Sequence, residues 1–136
     1  MEALRIAILG GVKVHLMIPN MPDHPFVYWA TYSNSGALVK MGADVHIYEE
    51  GFLHQKILMI DDEVVSIGTT NIDNRSFLLN FEVNAFIYSK REAEKQRDIY
   101  EMDVKNSSLL TEERYEARGK WIKLKEAVAN LISPIL

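Results

Sequence analysis

His54 and Lys56 stand two residues apart in FLHQKILMI, a run whose apolar residues predict a strand over 52–60. Side chains two apart on a strand share a face, so an imidazole and an ammonium group would point the same way. That pair suits phosphate chemistry. Imidazole can attack phosphorus or carry a proton, and the ammonium sets compact positive charge against phosphoryl oxygens. Taken alone, such a triplet is more often a surface polar pair. Two further features add weight. Gly68-Thr69-Thr70-Asn71 follows the next apolar run and offers backbone N–H groups, hydroxyls and an amide to phosphate oxygens. Glu82 stands among Leu78, Leu79, Phe81 and Val83, where an unpaired carboxylate would be costly. An imidazole N–H is its natural partner, orienting a histidine and stabilising its cationic form.

The elements that must position these residues follow from pattern. Residues 2–10 have helical spacing stopped by Gly10-Gly11. This helix begins without a cap, as though the chain enters in the middle of a domain. VKVHLMIP reads as a strand ending at Pro19, and NMPDHP as a turn in which Pro22 and Pro25 bar a regular helix. Phe26 to Met41 is helical, softly broken near Ser33–Gly36 and stopped by Gly42, and 44–49 alternates as a strand. The runs 52–60 and 63–67 form a hairpin around Asp61-Asp62. RSFLLNF suits a short helix and 82–89 one more strand. Lys90 to Asn106 is a charged helix with Ala93, Ile99 and either Tyr100 or Met102 inward. One long helix then runs to about Ile132, with Trp121, Leu124, Val128 and Leu131 on one buried face. The rhythm is α/β: a mixed sheet flanked by helices.

Composition bounds the rest. With 136 residues, 48% apolar and 25% charged, the chain can bury a core as one domain or a large part of one. It has no cysteine, hence no disulfide or thiolate site, and no His/Asp/Glu cluster has metal spacing. A net charge of −4 argues against a generic nucleic-acid binder. No apolar run reaches the ~18 residues of a bilayer span, and the N-terminus lacks a signal-peptide pattern.

HQKILMID, then GTTNID, then NFE resemble the HxKxxxxD…G(S/T)xN…E signature of the phospholipase D superfamily. RSFLLNFEVNAFIY, PDHPFVYWA and the closing SPIL are similar to the bacterial cardiolipin synthase branch, and the likeness covers nearly the whole chain. The resemblance implies a phospholipase D-like α/β domain over residues 1–136, the C-terminal half of a two-half enzyme, lacking the first strand of that domain. It implies His54, Lys56 and Asp61 as the catalytic signature, with His54 as nucleophile or general acid/base and Asp61 weighted towards a structural role. Lys56, Thr69 and Asn71 would bind the phosphate, and Glu82 would orient His54. The implied reaction joins two phosphatidylglycerol molecules into cardiolipin through a phosphohistidine, with no metal or cofactor, at the cell membrane.

One departure from the family concerns the site itself. The family site uses two HxK motifs, whereas His15, His24 and His46 lack a lysine two places on. A partner domain or a second copy would have to complete the site. The rival readings are a phospholipase D-like nuclease or phosphodiesterase, disfavoured by the acidic charge and the flanks, and an inactive fragment. His24, Phe26, Tyr28 and Trp29 suit either a lipid entry path or a packed helix start. Arg118, Lys120, Lys123 and Lys125 surround Trp121 with no acid between them. Peripheral contact with anionic headgroups is one reading, and a solvated helix face with Trp121 in the core is the favoured one.

Overall fold

The computed structural model describes residues 1–21 and 25–132, so His24 lies outside the described residues. In chain order the elements are α1 (Glu2–Leu9), β1 (His15–Pro19), α2 (Pro25–Val39), β2 (Asp44–Tyr48), β3 (Ile57–Ile60) and β4 (Val64–Gly68). They continue with α3 (Asn74–Leu78), β5 (Asn84–Tyr88), α4 (Lys90–Lys105), β6 (Ser107–Leu109), α5 (Glu112–Glu116) and α6 (Lys120–Ile132). The α/β class holds, with helices flanking two three-stranded sheets in place of one.

Residues Met1–Leu53 and Ser107–Leu136 form one compact unit, and His54–Asn106 the other. In the first, β1 and β2 are parallel and β6 adds to β2 antiparallel, a mixed sheet. Leu16 and Ile18 stand opposite Val45 and Ile47 on one face and meet Leu38, Leu110 and Tyr115 in the core. β6 was not legible in the sequence. Its three residues are Ser-Ser-Leu, and they become a strand because β2 offers them an edge.

Two helices also differ from expectation. α2 runs unbroken through Ser33–Gly36. Gly36 is there for contact and not as a break, since a Cβ at that position would lie 1.9 Å from the Tyr115 ring. The predicted C-terminal helix is two helices. Thr111 caps α5 by accepting from the Arg114 N–H at 3.1 Å. At the far end the Arg118 guanidinium turns back onto the Tyr115 carbonyl and ring, closing α5 before Gly119.

The inward face of α6 is a correction too. Ala129 is fully buried and Glu126 is 3% exposed, whereas Trp121 is 77%, Leu124 53% and Val128 44% exposed. Glu126 turns inward because Arg118 meets it there, with Nη2 donating to Oε2 at 3.0 Å and Nε at 3.2 Å. A paired acid and a small alanine let α6 pack against α2, and the large apolar residues are left outside. The side chain of Leu131 lies outside the described residues.

The second unit is an antiparallel meander, β3-β4-β5, with α4 against β3 and β4. Val65 is fully buried on one face, worth roughly 1.5–3 kcal/mol. The opposite face carries Leu58, Ile60, Phe86 and Tyr88, all of them exposed. Ser89 caps α4, and Ala93 is its buried contact. Ile99, expected inward, is exposed; of the two alternatives beside it, Tyr100 is half-buried and Met102 is exposed. Asp62 at the hairpin tip pairs with Arg97 of α4. Among the described residues no helix is long and apolar enough to cross a membrane.

Candidate active site

The meander sets the rungs of the site. The Gly68 N–H donates to the Lys56 carbonyl at 3.2 Å, and Gly68 pairs with Asn84 across the other edge of β4. Lys56, Gly68 and Asn84 thus lie abreast, one row beyond Leu58, Ser66 and Phe86. Gly68 is required there. A Cβ would lie 2.1 Å from both the Val83 carbonyl oxygen and Asn84 Oδ1.

His54 is exposed, in the irregular stretch before β3 and not on the strand predicted for it. The ladder stops short for a local reason. The next β4 donor that would face β3 is the Thr70 N–H, and it donates to Asn84 Oδ1 at 3.2 Å. The His54 carbonyl accepts instead from Lys56 Nζ at 2.9 Å. Side-chain bonds replace the ladder on both sides, and they tie Lys56 to the histidine's backbone.

Asn84 was missed in the sequence reading and is the clamp of this corner. Its Oδ1 accepts from Thr70 Oγ1 at 2.8 Å, and its Nδ2 donates to Ser66 Oγ at 2.9 Å. Thr69 Oγ1 accepts from the Val83 N–H at 3.0 Å, and the Thr69 N–H donates to the Val83 carbonyl at 3.0 Å. The loop after β4 is therefore pinned to β5, which brings Thr69 beside Glu82. The signal was available in principle. Asn84 is the polar member of an alternating row, Asn84-Phe86-Tyr88, that is otherwise aromatic.

Glu82 accepts from Asn80 Nδ2 at 3.1 Å. Hydrogen bonds from Thr69 and Asn80 hold its carboxyl below the usual glutamate range, against partial desolvation, and the nearby Lys56 charge acts in the same direction. Glu82 is thus an anion at neutral pH with a cation close by. Asn71 is exposed, ahead of α3. That helix is capped by Asp73, whose Oδ1 accepts from the Ser76 N–H at 2.6 Å. Asp61 is not brought to this group. It occupies the hairpin tip at φ 50°, with Asp62 at φ 54°, so β3 separates it from Lys56 by roughly 16 Å at ~3.3 Å per residue. Among the described residues no three His, Asp or Glu side chains gather as a metal site needs.

A lysine, an ionised carboxylate and a hydroxyl loop, with a histidine two residues before the lysine, can hold a phosphoryl group and exchange protons with it. The cardiolipin synthase, PLD-like domain family matches residues 1–104. The chain belongs to that family. Curated cardiolipin synthases are similar to it in sequence. A cardiolipin synthase from Staphylococcus aureus is 54% identical over 136 residues, covering 100% of this chain and 28% of the relative. A cardiolipin synthase 1 from Staphylococcus epidermidis is 56% identical over 135 residues, again 28% of its length. The chain therefore spans a little over a quarter of these relatives. In fold it is similar to Nuc from Salmonella typhimurium, a phospholipase D family member (TM-score 0.72, 18% identity, 81% of this chain and 72% of that one). It is equally similar to phosphatidylserine synthase from Haemophilus influenzae (TM-score 0.72, 14% identity, 99% of this chain and 38% of that one).

Proposed function

We propose that this chain lies within the C-terminal half of a cardiolipin-forming phosphatidyltransferase and supplies one of its two histidine–lysine motifs. The observation that carries the reading is the meander, which sets Lys56, the Gly68–Thr70 corner and Glu82 at the adjoining ends of neighbouring strands in a chain of this family. One histidine attacks the phosphorus of a phosphatidylglycerol, and the P–O bond to glycerol breaks. The other histidine protonates the departing glycerol. The hydroxyl of a second phosphatidylglycerol then attacks the phosphohistidine, gives its proton to that other histidine and restores the first. Lys56, Thr69 and Asn71 hold the phosphoryl oxygens, and Glu82 orients His54. Asp61, at the hairpin tip, shapes the turn.

The second motif comes from a partner domain or a second copy. The exposed Leu58, Ile60, Phe86 and Tyr88 support this, since contiguous exposed apolar faces mark interaction surfaces. The test is a graft. This chain replaces the matching segment of the Staphylococcus aureus relative, and the hybrid is given phosphatidylglycerol vesicles. Cardiolipin and glycerol should form in equal amounts and vanish with His54→Ala. A His54→Ala hybrid that turns over at the parent rate removes His54 from the site.

A further inference from the structure

We propose that the outward stripe of α6, Trp121, Leu124 and Val128 between Lys120 and Lys125, lies in the surface of an anionic phospholipid membrane. All three apolar residues are exposed. At about 100° per residue they fall within one arc of roughly 60°. Lys120 borders that arc on one side and Lys125 on the other. A narrow apolar stripe between lysines, carrying a tryptophan, is the arrangement of a helix that beds in the headgroup region.

Charge commits the stripe to one occupant. The whole chain is acidic, with a net charge of −4, yet α6 turns only lysines outward. Its single acid, Glu126, is 3% exposed and paired with Arg118. Lys123 meets Glu116 at 3.4 Å, an exposed pair that is weak and screened. Lys125 lies 5.4 Å over the Trp29 ring and is exposed. Length agrees. The 13 residues of α6 span about 20 Å, short of the ~30 Å hydrocarbon core, so the helix can lie along a bilayer and not through it.

The outward orientation is held by the fold and not by the membrane. Rolling α6 to bury Trp121 would carry Glu126 away from Arg118 and expose Ala129. The surface is independent of the catalytic reading, because vesicle binding is measured without turnover. Failure of one leaves the other standing.

The experiment uses the whole 136-residue chain with vesicles of phosphatidylglycerol in phosphatidylcholine, and with phosphatidylcholine alone. Binding is read by flotation, and Trp121 emission in a Trp29→Phe background. The chain should bind the anionic vesicles, weaken as salt is raised, and show blue-shifted Trp121 emission. Lys120→Gln with Lys125→Gln should reduce partitioning about 25-fold, at roughly fivefold per lysine. Trp121→Ser should reduce it roughly tenfold or more, with the far-UV circular dichroism and melting temperature of the parent, since the side chain is exposed. Binding that ignores these substitutions, or no binding, overturns the proposal. So does a concentration-dependent dimer that Trp121→Ser abolishes, which would assign the stripe to a second copy.

Discussion

Gly68→Ala is the sharpest test of how the site corner is built. The new methyl would sit 2.1 Å from the Val83 carbonyl oxygen and from Asn84 Oδ1. The first obstacle is backbone of a paired strand and cannot swing aside. The second is the acceptor of two bonds from Thr70, at 2.8 and 3.2 Å. Overpacking of this kind costs about 1–3 kcal/mol, and loosening the Thr70 bonds adds about 1 kcal/mol. The total is about 2–4 kcal/mol, which for a chain of this size lowers Tm by roughly 10 °C. Gly119→Ala is the matched control, because a Cβ there meets nothing within 4 Å. Thermal unfolding by circular dichroism reads both. If Gly68→Ala melts within a degree of the parent, β4 and β5 do not approach as described, and the account of why the ladder ends at His54 fails with it.

Two further outcomes are expected. Arg118→Ala leaves Glu126 buried without its partner, the two side chains being 9% and 4% exposed. It should cost about 3–5 kcal/mol in urea unfolding, far more than Lys123→Ala, which removes an exposed pair. Glu82 has a folded-state pKa below its unfolded value, held down by Thr69 and then Asn80. Its contribution to stability is therefore complete above the unfolded carboxylate value and is lost as pH falls through the folded one. Carboxyl titration by NMR should show Glu82 moving up towards the usual range in Thr69→Val. An unmoved titration removes Thr69 as its main donor.

The order of the elements was largely legible in the chain. Helical and alternating spacing marked α1, β1, α2, β2, the β3–β4 hairpin, β5 and α4, because each is decided by its own residues. The site signature was legible for the same reason. His54, Lys56, Gly68 to Asn71 and Glu82 are separated by short, regular segments, so their spacing survives in one dimension. What failed were readings that depend on a distant partner. β6 is a strand because β2 has an edge for it. Gly36 suggested a break because Tyr115, 79 positions on, could not be foreseen. The stripe of Trp121, Leu124 and Val128 was assigned to the core because apolar residues at helical spacing usually are.

Sequence by itself thus named the candidate groups for chemistry, since residue types at fixed spacing are recorded in one dimension. Tertiary structure decided which surfaces those groups and their neighbours present. Asn84 became the clamp of the site corner once β5 lay beside β4. α6 turned its tryptophan to solvent once Arg118 captured Glu126. Burial is a property of a residue and its partner together, and the chain in one dimension records only the residue.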